Sequence, residues 1–348
     1  GKDSFIWTLP WGTLVIFDEA HVCSGDKTAN SKVLALTKAY GLKALMLSAT
    51  IAETPLKMRA VGYLLGLHGY TNQSYYDWCR QHGCVRSPWG NGALEFTRNQ
   101  TRAKEAMEKI RAAMLDKFVR LRIEDIPEFP ENEIEAVLYD LSDSDTKAVN
   151  KIYADMDAEI RNPKSTNPLV ILLRARQKTE LLKVPLLKEL TLESLEEGKS
   201  VVVFLSFRET MNELKSALKE WEPTVVHGDQ TPDERGADIA RFQSNQCRVC
   251  ICMSAAGSCG ISLDDVLGGH PRVSYISPSY SAVQTRQCLG RIHRAASKSK
   301  AIQKFVMIAG TIEEDVQQAV QRKLKCLDAL NDSDLVPASA LAVIQKGD

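Results

Sequence analysis

Short apolar runs that stop at polar or acidic residues alternate with longer stretches of helical spacing along most of this chain. Thr13-Leu14-Val15-Ile16-Phe17 is apolar, rich in β-formers and ends at two carboxylates. A buried parallel strand delivering acids to its C-terminal edge has this look. An apolar-periodic helix follows from about Ser31 to Tyr40. A second run, Ala44-Leu45-Met46-Leu47, then ends in Ser48-Ala49-Thr50. Strand, helix, strand at this spacing predicts a βαβ unit. Tyr70 to Gly92 is aromatic, glycine-rich and irregular, and reads as an insertion or surface subdomain.

Arg98 to Leu115 is charged and helical, and Pro127 and Pro130 then mark a boundary. Ser142 to Arg161 is helical again, residues 162–168 form a loop, and Leu169 to Leu195 has helical spacing interrupted at Pro185. A second α/β unit begins at Ser200. Its strands are expected at 201–205, 224–226, 248–253, 273–276 and 303–308, and its helices at 209–221, 232–243, 281–294 and 311–330. Such alternation implies a parallel, doubly wound sheet. The tail after Asp332 is expected to fray.

A length of 348 residues suits two domains, and 44% hydrophobic with 25% charged residues is the balance of an ordinary globular protein. No apolar stretch approaches the length of a membrane span, and Gly1-Lys2-Asp3-Ser4 does not open like a signal peptide. A cytosolic or nuclear protein with no membrane partner is expected. Net charge is zero, which leaves a local basic stripe for phosphate open. The nine cysteines are odd in number. Cys247, Cys250 and Cys252 lie along an apolar strand whose neighbours face opposite ways, so they cannot converge on one metal. Cys79, His82 and Cys84 lack a fourth ligand, and packing of reduced thiols is the simpler reading.

Four elements carry chemistry. Asp18-Glu19-Ala20-His21 follows a buried strand. One carboxylate there suits Mg²⁺, and its neighbour can polarise an attacking water. Ser48-Ala49-Thr50 ends the next strand, where hydroxyls can bond a carboxylate or imidazole. Ser254 to Ile261 brings small residues after a strand, so that backbone can approach phosphates. In Gln287-Cys288-Leu289-Gly290-Arg291-Ile292-His293-Arg294 the spacing predicts one helix face bearing Gln287, Arg291 and Arg294, which can grip phosphate oxygens.

Taken together these elements resemble superfamily two helicases of the DEAD/DEAH-box type, and more closely the SWI/SNF-like ATPases, including short phage versions. Asp18 to His21 resembles motif II, Ser48 to Thr50 motif III, Val203 to Ser206 motif IV, Ser254 to Leu263 motif V and Gln287 to Arg294 motif VI. His227-Gly228-Asp229 with Arg235 and Phe242 resembles a further signature, and segments from Arg120 and Arg176 resemble those joining the lobes. The resemblance implies an α/β fold of two RecA-like parallel-sheet lobes, the first incomplete. It places the C-terminal part of lobe 1 at 1–125, a helical connecting region at 126–195, lobe 2 at 196–332 and a tail at 333–348.

By that resemblance Asp18 holds Mg²⁺ and Glu19 activates water, while Arg291 and Arg294 reach the γ-phosphate. Gln287, Gly257, Gly260 and His21 adjoin ATP. Ser48, Ala49 and Thr50 couple nucleotide state to movement, and Ser206, Arg208, His227, Ser254 and Ala256 meet the nucleic-acid backbone. The partners implied are ATP, Mg²⁺ and DNA, duplex or single-stranded, with RNA possible. One departure is the family's motif I, a Gly-rich loop ending in Gly-Lys-Thr or Gly-Lys-Ser, which has no counterpart here. Gly1-Lys2-Asp3-Ser4 lies too near Asp18. The chain is therefore expected to be a fragment that binds ATP poorly without an N-terminal segment carrying motif I. The alternative is a non-catalytic binding module derived from a helicase.

Overall fold

The computed structural model describes residues 5–25, 28–48, 51–87, 93–120, 125–161, 168–257, 260–279, 281–309, 311, 313 and 343–345. They divide into two compact units, with the division between Arg122 and Ile123. Among the described residues no helix is long and apolar enough to cross a membrane.

In the first unit β1 (Leu14–Phe17) runs parallel to β2 (Lys43–Met46), with Leu14 opposite Lys43 and Phe17 opposite Met46. A 3-10 turn over Ala20–Cys23 and helix α1 (Ala29–Ala39) connect them. The Thr28 hydroxyl caps α1 by accepting from the Ser31 amide. Side chains alternate along a strand. Phe17 and Met46 pack on Leu34, Ala35, Ala60 and Val61, whereas Leu14, Ile16, Leu45 and Leu47 are 44–57% exposed.

Helices α2 (Arg59–Leu64), α3 (Asn72–Gln81) and α4 (Gln100–Ala112) follow, with the hairpin β3 (Cys84–Arg86) and β4 (Leu94–Phe96) between the last two. The irregular stretch expected from Tyr70 to Gly92 is thus largely ordered. Thr71 caps α3, and Tyr75, Trp78 and Cys79 bury one face of it against Met107 and Ile110. Aromatic and small residues here serve a core, and Trp89 lies outside the described residues.

The second unit is built on a sheet of order β11-β5-β10-β9-β6-β8-β7, with every pairing parallel. Its strands are β5 (Asn132–Tyr139), β6 (Ser200–Leu205), β7 (Thr224–Val226), β8 (Val249–Met253), β9 (Arg272–Ile276), β10 (Ala301–Ile308) and β11 (Val343–Gln345). The α/β class read from the sequence is the one observed. β6 is buried at all six positions, as a central parallel strand must be.

Besides the β3–β4 hairpin of the first unit, two strands of this sheet were not anticipated. β5 lies in the stretch expected to be helical, and β11 lies in the tail expected to fray. Glu133 and Glu135 gave β5 a polar look, but in the sheet they face Lys300, just before β10, at 2.7 Å and Lys304, on β10, at 3.4 Å.

Helices α5 (Asp143–Arg161) and α6 (Pro168–Leu182) pair through Tyr153 Oη and Thr179 Oγ1, 2.8 Å apart. Lys183 breaks α6 from α7 (Val184–Glu196), where Pro185 occupies the first turn. α7 and α8 (Arg208–Ala217) cover the sheet with Leu187, Leu190, Met211 and Leu214. α9 (Pro232–Gln243) opens with a full capping box between Thr231 and Glu234. α10 (Ser254–Gly257) is one turn, and α11 (Ala282–Leu289) stops well short of the expected Arg294. The helix expected from Thr311 lies almost wholly outside the described residues.

Candidate nucleotide and nucleic-acid sites

In the first unit the chain leaves β1 at Asp18, which is exposed and accepts the Glu19 amide on Oδ1 at 2.9 Å. Glu19 takes a left-handed backbone, φ 48° and ψ 46°, a conformation that costs a side-chain-bearing residue about 1–2 kcal/mol. Ala20 then donates to the Leu47 carbonyl at 2.9 Å, which anchors the turn to the end of β2. His21 results in a bridging place. Its Nδ1 lies 3.2 Å from Glu19 Oε2 and 3.4 Å from Ser48 Oγ. The structure therefore brings together three expected site residues, one from each strand end and one from the turn. Ala49 and Thr50 lie outside the described residues. Hard oxygen donors at a strand edge fit Mg²⁺.

In the second unit every strand runs the same way, so Ser206, His227, Ser254 and Ser277 all emerge on one rim. Arg208, the first residue of α8, is exposed and pairs with the Asp229 carboxylate. The His227 amide donates to Gln230 Oε1 at 2.9 Å, and its carbonyl accepts from Arg235 Nη2 at 3.2 Å. Loss of water lowers the His227 pKa, and the charges of Arg208, Arg235 and Lys215 lower it further. Three cations thus act on His227, with Asp238 opposing them and Arg208 paired to Asp229. Guanidinium groups in such a place can exchange a carboxylate for phosphate oxygens.

The predicted helix face of Gln287, Arg291 and Arg294 does not form. α11 ends at Leu289 with Gly290 as its C-cap, and both arginines lie beyond it. They converge by another route: Arg291 Nη1 and Arg294 Nη2 donate to the same carbonyl, Ile261, at 3.0 and 3.2 Å. The Leu263 amide returns a bond to the Arg291 carbonyl at 2.8 Å. Motifs read as separate in the sequence are thus one hydrogen-bonded cluster.

Gly260 has φ +60° with open space where a Cβ would stand, and Gly257 closes α10. Gln287 is buried, as is Ser254, whose hydroxyl finds no partner in the described protein. Ala256 is placed on α10. Among the described residues no group of three His, Cys, Asp or Glu could hold a metal ion. Cys250 and Cys252 sulfurs lie 3.5 Å apart, while Cys247 bonds backbone carbonyls instead.

Two charged residues escaped the sequence reading. Glu180 is 2% exposed and Lys183 is fully buried, the first near the C-terminal end of α6 and the second just past it. Glu180 accepts three backbone bonds, two from the Ser206 amide at 3.0 and 3.1 Å and one from the Phe207 amide at 3.0 Å. Lys183 Nζ donates to Glu313 Oε1 at 2.6 Å, Ser277 Oγ at 3.0 Å and the Val306 carbonyl at 3.3 Å. Charged residues on a helix read as its solvated face, and nothing local marks these two as buried.

Residues 182–296 match the family model described as "Helicase conserved C-terminal domain". Over 349 aligned residues the chain is 32% identical to an Acanthamoeba polyphaga mimivirus protein described as a "putative ATP-dependent RNA helicase", covering 96% of this chain and 64% of that one. A CHD3-type chromatin-remodeling factor of Arabidopsis thaliana is 25% identical over 41% of this chain and 12% of its own. Among solved structures, the Sulfolobus solfataricus SWI2/SNF2 ATPase core domain has 18% identity and a TM-score of 0.41, covering 87% of this chain and 63% of that chain. The chain spans less than two thirds of the length of either curated relative. Its sequence is thus similar to that of the mimivirus protein over most of its length, and residues 182–296 match the helicase conserved C-terminal domain model.

Proposed function

We propose that this chain is the larger part of an ATP-driven motor of helicase superfamily two, of the SWI/SNF-like kind, that moves along DNA. The observation that carries the proposal is the shared rim of the second unit. Ser206, Arg208 and His227 follow its strands there, and Arg291 and Arg294 bond the loop after β8. In this reading Arg208 and His227 meet the phosphate backbone, so the grip is salt-dependent and weakly sequence-specific. Asp18 holds Mg²⁺, and Glu19, tied to His21, orients the attacking water. Mg²⁺ held there would supply charge neutralisation to the phosphates. Arg291 and Arg294 exchange the Ile261 carbonyl for the γ-phosphate when the site assembles.

The phosphate-binding loop would come from polypeptide outside these 348 residues. The exposed Leu14, Ile16, Leu45 and Leu47 support this, because parallel sheets are normally covered on both faces. RNA is the second reading, favoured by the name of the mimivirus relative. The test supplies a motif I segment and measures ATP hydrolysis with duplex DNA, single-stranded DNA or RNA added. Stimulation by DNA that Glu19→Gln abolishes is expected. Stimulation by RNA alone would select the second reading, and hydrolysis indifferent to both Glu19→Gln and Arg294→Ala would sink the assignment.

A further inference from the structure

Residues of α6, with Lys183 just past it, bond the chain after β6, the chain after β9 and the body of β10. Arg176 Nη2 donates to the Pro278 carbonyl at 2.9 Å, just past β9. Gln177 Nε2 donates to Glu209 Oε2 at 2.8 Å on the first turn of α8. Lys183 reaches Ser277 and the Val306 carbonyl, after β9 and within β10. Glu180, between them, grips the loop after β6 through the Ser206 and Phe207 amides.

That loop leads directly into Arg208, and α8 has no side-chain cap of its own. Helix N-termini leave amides unpaired and carry partial positive charge. A carboxylate from α6, more than twenty residues earlier in the chain, fills that role here. It is buried, its bonds among the described residues go to backbone amides, and it is far too enclosed to touch a ligand.

We infer that Glu180 is a positioning residue for the nucleic-acid grip: it fixes the Ser206-Phe207 backbone so that Arg208 presents its guanidinium to phosphate. The inference rests on the reading above, that this loop lies on the path of the nucleic acid. Its sign sets it apart from plain electrostatics. Removing a carboxylate makes the chain more positive, which by charge alone tightens binding to an anion. Loss of position weakens it.

The experiment measures anisotropy of a fluorescein-labelled random-sequence duplex DNA titrated with the 348-residue chain across a range of salt. Arg208→Ala should lower the salt slope by about one phosphate contact and weaken binding on the order of tenfold. Glu180→Ala should reproduce both effects. The double variant should be no weaker than Arg208→Ala alone, because the two act through one contact. Glu180→Gln keeps one amide-accepting oxygen and should fall between Glu180→Ala and wild type. It carries the test should Glu180→Ala fail to fold. Unchanged or tighter binding by the Glu180 variants, or additive losses in the double variant, would overturn the inference while Arg208→Ala still shows its effect. No effect of Arg208→Ala would instead remove the reading beneath it.

Discussion

At the scale of single residues, Glu19 joins chemistry to backbone conformation. In the completed motor Glu19→Gln should cut kcat by about 10²–10⁴-fold, the usual share of a general base, with nucleotide affinity little changed. The left-handed backbone makes a separate prediction about stability. Glu19→Val should be less stable than Glu19→Gly by about 1–2 kcal/mol in urea unfolding, since only glycine adopts that conformation without strain. The acid pair was legible from its place after an apolar run. Its backbone was not, because nothing in Asp-Glu-Ala-His demands a left-handed residue; the bond from Ala20 to Leu47 imposes it.

Histidines give a prediction with a sign. Burial lowers the pKa of His68 and His293 below the ordinary 6.5. Unfolded chains then bind more protons than folded ones between those two values. The stability these groups contribute is complete above about 6.5 and is lost as pH falls through the folded pKa. Urea midpoints should fall between about pH 7.5 and about pH 5.5, and His293→Gln should flatten that slope.

At the scale of elements, the Lys183–Glu313 pair is the most exacting joint described. Lys183→Met strands a buried carboxylate that, among the described residues, keeps the Ile308 amide, and should cost about 3–5 kcal/mol. Replacing both partners, with Glu313→Gln added, should cost less, read by chemical denaturation of the two variants side by side. The strands of 200–308 were legible because β6 and β8 are continuous apolar runs bounded by turns, while β9 and β10 keep apolar residues around Ser274 and Gln303-Lys304. α11 was overextended because Gln287, Arg291 and Arg294 do share helical spacing. Gly290 ends the helix, and the arginines reach their common carbonyl from irregular chain. β5 was missed because two glutamates break its apolar pattern, and the lysines that face them lie far off in sequence, Lys300 just before β10 and Lys304 within it. That information is tertiary and has no local signature.

At the scale of the whole molecule, the exposed leucines and isoleucine of β1 and β2 leave one face of the first unit's sheet open. Ile16→Lys with Leu45→Glu should lower binding of an apolar fluorescent dye and reduce light scattering at equal concentration, if that face drives self-association. A chain as prone to scatter after the substitutions as before would show the face is already covered.

The uniform direction of the second sheet has one practical consequence. With every candidate contact on the rim where strands end, the rim where they begin offers a handle remote from the work. Glu220, in the exposed 3-10 turn just ahead of β7, stands there, and the seven described cysteines are all buried. With Cys259 and Cys326, which lie outside the described residues, first replaced by serine, a dye or surface tether attached through Glu220→Cys would let a single molecule be watched or pulled from the rim opposite the proposed contacts.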